Sequence, residues 1–507
     1  MRASALLFVA VLAACPRPAP PAEVPAPAVP LPASAATAPL PLSTQVAAEP
    51  AALQAIVAAA RRDSRVREDL RHLTDVIGPR LTGSAPMRRA NEWALAKLRE
   101  YGADTAWLEA YRFGRAWERG PLALTMTAPH YRQLIAASAA WAPGTPGPVT
   151  GDVVFVDART PDDFAQRFRG RLSGRWAIVA EPAPMANPLG APLTAREAAA
   201  LDSARHAFFA PPADAQELQL RRRLAGLLVA EGALGIIGEG EKPFGLLRTY
   251  GSPEQPFPLP YLFVAHDSYA QLHRLLRAGE RVTLRADVHN TLSRDVVEAH
   301  NTVGEIRGAE RPDEVVVLAA HLDSWDLGTG ATDNAAGVVA VLESARILRT
   351  SGVRPRRTIR FALFSGEEQG LYGSQAHVAM HDAQMARHQA VLVLDNGTGR
   401  ITGMSLQGWE AMRPLWDALF SPIRDLGPFT VLSRRKGGSD HRPFVARGVP
   451  GFNFDQEPRG YDYTWHSQLD TFDALIPDDV SQAATVMAAT AYQLANLPEL
   501  LPRAPSP

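Results

Sequence analysis

Apolar positions along this chain fall into short strand-length runs separated by stretches of helical spacing. Val315–Ala320, Thr358–Phe364 and Val391–Leu394 are continuous or nearly continuous apolar runs, the pattern of strands buried on both faces. Ala335–Leu348, between the first two, predicts a helix. From about residue 295 onward strands and helices alternate, which predicts an α/β three-layer sandwich with a mixed, largely parallel central sheet. Earlier, Leu70, Leu73, Val76 and Ile77 recur at helix spacing, and residues 90–98 form a second amphipathic stretch. Gly78-Pro79-Arg80-Leu81-Thr82-Gly83-Ser84 breaks the pattern between them. Residues from about 150 to 290 read as a separate, smaller α/β module. Its predicted strands are Asp152–Val156, Trp176–Val179, Leu234–Ile237 and Tyr261–Val264, with helices over Leu224–Ala230 and Leu272–Leu276.

At the N-terminus, Met1-Arg2 precedes the apolar run Ala5–Leu12, which has the length of an export signal and is too short to cross a bilayer. Residues 16 to about 50 are rich in Pro and Ala with almost no charge, so they bury no core and read as an extended tether. The 507 residues suggest two or three domains, and 46% hydrophobic with 21% charged residues predicts a sizeable core. A formal net charge of −1 argues against a nucleic-acid partner. Lysine occurs only at 97, 242 and 436, so nearly all positive charge is Arg. Cys15 is the single cysteine, which excludes an intrachain disulfide and a thiolate metal site; a metal must be held by His, Asp and Glu. Cys15 closes Leu12-Ala13-Ala14-Cys15, which resembles the lipobox of bacterial lipoproteins. The resemblance implies a signal peptide over 1–14, a lipid on Cys15 and a tether over 15–50. The chain is then exported, faces the periplasm or cell surface, and meets a membrane only through that lipid; a plain secretory signal cleaved near Ala14 would leave it secreted instead.

Three predicted strands run directly into candidate metal ligands: Val315–Ala320 into His321 and Asp323, Thr358–Phe364 into Glu367 and Glu368, and Val391–Leu394 into Asp395. Ligand sites of open α/β sheets form at the carboxyl ends of strands, so these groups can converge. Asp333 lies where the helix over Ala335–Leu348 begins, and His466 lies in a loop before the last helix. Taken singly, each has a bland reading: a helix cap, a solvated Glu-Glu pair, a structural histidine. Together, five imidazole and carboxylate ligands suit two Zn2+ ions sharing one bridging carboxylate. His377, His381 and His388 fall at helical spacing on a polar stretch and read as a solvated helix face, and Arg434-Arg435-Lys436 as a solvated loop.

His321-x-Asp323, Asp333-Asn334, Glu367-Glu368, Asp395 and His466, in that order, resemble peptidase family M28, the zinc aminopeptidases and carboxypeptidases. His321-Leu-Asp-Ser-Trp-Asp326 is most similar to its carboxypeptidase Q group. The resemblance implies the zinc exopeptidase fold, split into 51–149 and 293–500 around a protease-associated insert over 150–292. It implies that His321 and Asp395 hold one zinc, Glu368 and His466 the other, and that Asp333 bridges them. Glu367 is then the general base, and Asp323 orients His321. A cis peptide between Asp333 and Asn334 is also implied. Where some relatives carry a tyrosine before the late histidine, this chain has Trp465, with Tyr461 and Tyr463 nearby; Gly437–His441 matches a pocket loop. The implied substrates are dipeptides or short peptides, and a homodimer is compatible. Two other functions stay open: a metal-free, receptor-like binding protein, and a glutaminyl cyclase acting on a non-peptide amide, which typically lacks the insert.

Overall fold

A computed structural model describes residues 50–158, 160–183, 224–435 and 438–503. The predicted signal, Cys15 and the tether lie outside the described residues. Among those described, no helix is long and apolar enough to cross a membrane.

The strands form two eight-stranded sheets. In the first, Arg357–Phe364, Arg311–His321, His388–Val393 and Gly451–Gln456 lie side by side and parallel. Antiparallel partners extend it, Thr291–Ile306 and then Thr105–Glu118 on one side and Ile401–Ser405 on the other, where Thr430–Leu432 pairs parallel with Ile401–Ser405 as the outermost strand. The strand Arg311–His321 shows why its run is uninterruptedly apolar. Val316, Leu318 and Ala320 enter the larger core beneath the helices Ala336–Ser351 and Pro477–Asn496, whereas Val315, Val317 and Ala319 face Val378, Met385 and Phe444 on the opposite side. The central sheet is thus covered on both faces, as three layers require. Helix Ala336–Ser351 is buried from Ala336 through Leu348, which explains its lack of an exposed polar stripe.

The second sheet is also mixed. Its parallel centre is Val149–Phe155, Trp176–Ile178, Gly235–Glu239 and Tyr261–Val264; Thr283–Val288, Leu122–Ala128 and the edge Arg132–Gln133 follow on one side, and Ala136–Ser138 is the other edge. Trp176, Ile178, Ile237, Leu262 and Tyr269 fill its own core.

The expected solvated histidine face is corrected by the structure. His377 and His388 are fully buried. His377 Nδ1 and His381 Nε2 meet the two oxygens of Glu109, on the edge strand Thr105–Glu118, at 2.7 and 2.8 Å. Arg360, which can only donate, faces His377 Nε2 at 3.4 Å, so the ring proton sits on Nδ1, toward Glu109. A partner more than 250 residues upstream turns a polar pattern into an interior one.

His388 donates through Nδ1 to the Gln384 carbonyl. Burial, with Arg360 adding to it, pushes its pKa down to about 3, against the opposing pull of that hydrogen bond. Because the folded value lies below the unfolded value of about 6.5, stability is complete above pH 6.5 and falls as acid protonates the unfolded chain first. Between pH 7 and 4.5 this one group is expected to cost about 2–3 kcal/mol. Urea unfolding of His388→Gln should show that much less acid sensitivity than the unsubstituted chain; equal losses in both would refute the assignment.

Candidate metal centre

Strand ends build the site. His321 is the last residue of Arg311–His321, Asp395 follows His388–Val393, and Glu367 and Glu368 follow Arg357–Phe364. Those three strands are parallel neighbours, so all three clusters emerge at the same edge of the sheet. Asp333 arrives from just ahead of the helix Ala336–Ser351, and the Asp333–Asn334 peptide is cis. Gly337, in the first turn of that helix, has no room for a side chain: a Cβ would sit 2.3 Å from Asn334 Oδ1 and 2.5 Å from the Leu394 carbonyl. His466 has φ +54°, left-handed backbone that a non-glycine residue pays for with about 1–3 kcal/mol and that concentrates at functional sites.

The five side chains meet. Asp333 Oδ1 lies 3.2 Å from His321 Nε2, and its Oδ2 lies 3.3 Å from His466 Nε2. His321 Nε2 also reaches Asp395 Oδ1 at 3.1 Å, and His466 Nε2 reaches Glu368 Oε2 at 2.9 Å. Two groups result, His321–Asp333–Asp395 and Asp333–Glu368–His466, each with ligand atoms within 4.8 Å of one another and sharing Asp333.

The electrostatics call for a cation. Burial pushes the Glu367 and Glu368 carboxyls well above their usual range; His321 opposes this, and neighbouring carboxylates add to it. Asp333 is also penalised by burial, but the hydrogen bonds from His321 and His466 outweigh it and hold its pKa low. At His321 burial favours the neutral ring, yet Asp395, Asp323 and Asp333 pull the imidazole well above its ordinary value. His466, where burial wins, falls to about 4. Glu368 Oε1 and His466 Nδ1 are buried with no hydrogen-bond partner among the described residues. A pocket that stabilises positive charge, offers only nitrogen and carboxylate donors and leaves the Asp333 Oδ2 and Glu368 Oε1 carboxylate oxygens without a hydrogen bond among the described residues fits divalent zinc.

Asp323 meets the His321 ring chiefly through its backbone. His321 Nδ1 is 3.0 Å from the Asp323 backbone carbonyl but 3.7 Å from its carboxylate. The carboxylate instead accepts from Thr82 Oγ1 at 3.0 Å and from the amides of Glu367 and Glu368, each at 3.3 Å. It therefore sets the loop carrying both glutamates, while the carbonyl fixes the His321 tautomer.

The roles of several supporting residues escaped the sequence reading. Asp470 accepts from the amides of Thr332 and Asp333, and its carboxyl is pushed up to about 7 by burial and by Asp333. Arg80, fully buried, donates to the carbonyls of Gly78, Leu322, Thr329 and Gly330. Asn334 donates to the Leu394 carbonyl at 2.9 Å. Asp440, in the pocket loop, is buried and its carboxyl is raised to about 7. The available signals were the break over 78–84, Asn334 after Asp333, the Gly437–His441 loop and Asp470 four residues past the late histidine, and none has a spacing that specifies these partners.

Trp465 stacks on His466, ring centroids 3.8 Å apart. The segment 241–248, next to the second sheet, leans on this loop. Lys242 Nζ donates to the Asp462 carbonyl at 2.6 Å, Leu247 N donates to Gln468 Oε1 at 2.9 Å, and Gln468 Nε2 returns a bond to the Gly245 carbonyl at 3.1 Å.

Residues 301–491 match the sequence profile of Peptidase family M28. The chain is 27% identical to carboxypeptidase Q of Rattus norvegicus over 453 residues, 89% of this chain and 90% of that one. Its fold matches the crystal structure of a peptidase M28 precursor from Shewanella amazonensis with a TM-score of 0.71 at 25% identity, covering 90% of this chain and 99% of that one. A zinc aminopeptidase from Bacillus subtilis shares the fold, with a TM-score of 0.59 at 19% identity over 84% of this chain and 94% of its own. The profile match across the metal-centre region gives the chain a Peptidase family M28 domain over residues 301–491, and similarity to metallopeptidases runs almost end to end.

Proposed function

We propose that this protein is a co-catalytic dizinc exopeptidase acting on dipeptides or short peptides. The observation that carries the reading is the position of Asp333, whose two oxygens face different imidazoles at 3.2 and 3.3 Å and split the ligands into two sets. In this reading His321 and Asp395 hold one zinc, Glu368 and His466 the other, and Asp333 joins both. When bound, such a pair of ions supplies Lewis acidity to a carbonyl and lowers the pKa of a nearby water. Glu367 is the group that moves the proton. Its carboxyl is raised by burial, so it takes a proton readily from water and can return it to the departing amine. Asp323 and Asp470 keep the glutamate loop and Asp333 in register by holding their backbone amides. A lipid on Cys15, as the lipobox-like Leu12–Cys15 suggests, would hold this activity outside the cytoplasmic membrane, and a plain secretory signal would release it there. A metal-free, receptor-like role finds no support in a site that converges both imidazoles and three carboxylates.

Metal analysis together with product identification from an unblocked tripeptide tests the reading. Two zinc ions per chain and release of a single terminal amino acid are expected. Fewer than one zinc per chain after loading, or cleavage of an interior bond only, would sink it.

A further inference from the structure

The two imidazoles of the metal centre are held in different ways. A ligating histidine ordinarily fixes its ring by a hydrogen bond from the nitrogen away from the metal. His321 has such a bond, with Nδ1 facing the Asp323 carbonyl at 3.0 Å. His466 Nδ1 is buried and has no hydrogen-bond partner among the described residues. Aromatic contacts take its place. The Trp465 ring stacks on the imidazole, with centroids 3.8 Å apart and planes inclined by 25°. Trp325 meets the same imidazole edge-on, at 5.9 Å and 61°.

Trp465 is in turn held from behind. The Arg248 guanidinium carbon lies over its ring, 4.5 Å from the centre. The stacked imidazole fills one face of the indole, so the guanidinium takes the other. Glu241 fixes Arg248 at 3.0 Å, and Lys242 Nζ lies 5.7 Å from the same ring centre. These three residues belong to the segment 241–248. Its Glu241 and Phe244 have left-handed backbone, φ +59° and +61°, which non-glycine residues keep only where their surroundings over-determine it. A bridge between Glu241 and Leu247 closes the segment on itself. It grips the His466 loop on both sides of Trp465, through Lys242 on the Asp462 carbonyl and through the two bonds that Gln468 shares with Leu247 and Gly245. Neither cation lines the pocket at the metal centre, so their contact with His466 runs through the indole.

We propose that Trp465, clamped by Arg248, is the positioning residue of His466, and that the segment 241–248 thereby sets how tightly the protein holds the ion at Glu368 and His466. The proposal rests on the dizinc reading above. The clamp does for His466 what the Asp323 carbonyl does for His321: it restricts rotation of the ring before an ion arrives. Occupancy of the centre then depends on a segment from which neither ligand set draws a residue.

The test is a chelator-competition titration of zinc into the full chain, which resolves two binding steps, with circular dichroism on each variant. Trp465→Leu should weaken one step about 10–100-fold, the range for a lost outer partner of a ligand, and leave the other within about threefold. The weakened step should be the one that His466→Ala abolishes. Trp465→Phe, which keeps an aromatic face, should recover most of the loss. Arg248→Lys keeps the charge and gives up the flat guanidinium, so it should weaken the same step about 3–10-fold. In the Trp465→Leu background that second substitution should change zinc affinity less than about twofold, because its effect passes through the ring. A role for Arg248 through its charge alone predicts no change in Arg248→Lys. Fewer than two zinc steps in the unsubstituted chain would sink the dizinc reading and this proposal with it. Two steps that Trp465→Leu leaves unchanged, or weakens alike, would overturn the proposal alone. Should Trp465→Leu not fold, Arg248→Lys decides, with unchanged zinc affinity as the overturning result.

Discussion

Glu367→Gln should keep two zinc ions per chain while kcat falls on the order of 10³-fold, the scale of a lost general base. The expectation separates Glu367 from its neighbour. Glu368 belongs to the set that includes His466 and Asp333, whereas Glu367 belongs to neither set of clustered ligand atoms. The amides of both are held by Asp323, and the amide side chain introduced at 367 removes a charge without moving that backbone. It also relieves carboxylate crowding, since Asp395, Asp440 and Glu368 all act against the ionised Glu367, so the variant should be no less stable. Metal content and steady-state kinetics on the same preparation check this. A kcat within tenfold of the unsubstituted enzyme would exclude Glu367 as the base.

A second large effect is expected at Asp333, this time on metal retention. Asp333→Ala removes one donor from each of the two sets at once and leaves His321 and His466 without the carboxylate between them. Replacing even an outer partner of a metal ligand typically weakens binding about 10–100-fold, so loss of a shared ligand should exceed about 100-fold. After dialysis the variant should retain less than one zinc per chain, measured by elemental analysis, and show no turnover. Retention of two ions would mean that the sets do not share this residue. Circular dichroism of the variant, expected to match that of the unsubstituted chain, separates loss of metal from loss of fold.

The sequence reading located the convergent residues because three of them follow apolar runs, and strand ends are the one place where a linear pattern specifies a position in space. Alternation after residue 295 likewise foretold a sheet covered on both faces. What stayed hidden is support that acts through backbone groups. Arg80 binds carbonyls and Asp470 binds amides, and neither interaction leaves a periodic trace. That Asp323 meets His321 through its backbone carbonyl, and turns its carboxylate to the glutamate loop, could not be read from the His-x-Asp spacing. His377 and His381 looked solvated because a helix pattern reports only its own polarity, whereas Glu109, which buries them, arrives on a distant edge strand. The meeting of Lys242 and Arg248 with Trp465 was equally illegible, as it depends on how one lobe rests against another.

The segment recognised by the family profile begins at residue 301, yet much of what holds its glutamate loop comes from well upstream. Thr82 binds both Asp323 and the Gly366 amide, Tyr111 binds Ser365, and Arg80 is plugged into four carbonyls. Cropping the gene to the profile boundaries would therefore leave open sockets in the floor of the reaction chamber. Expression work, domain shuffling and library design should treat residues 78–111 as an inseparable keystone of the hydrolytic half.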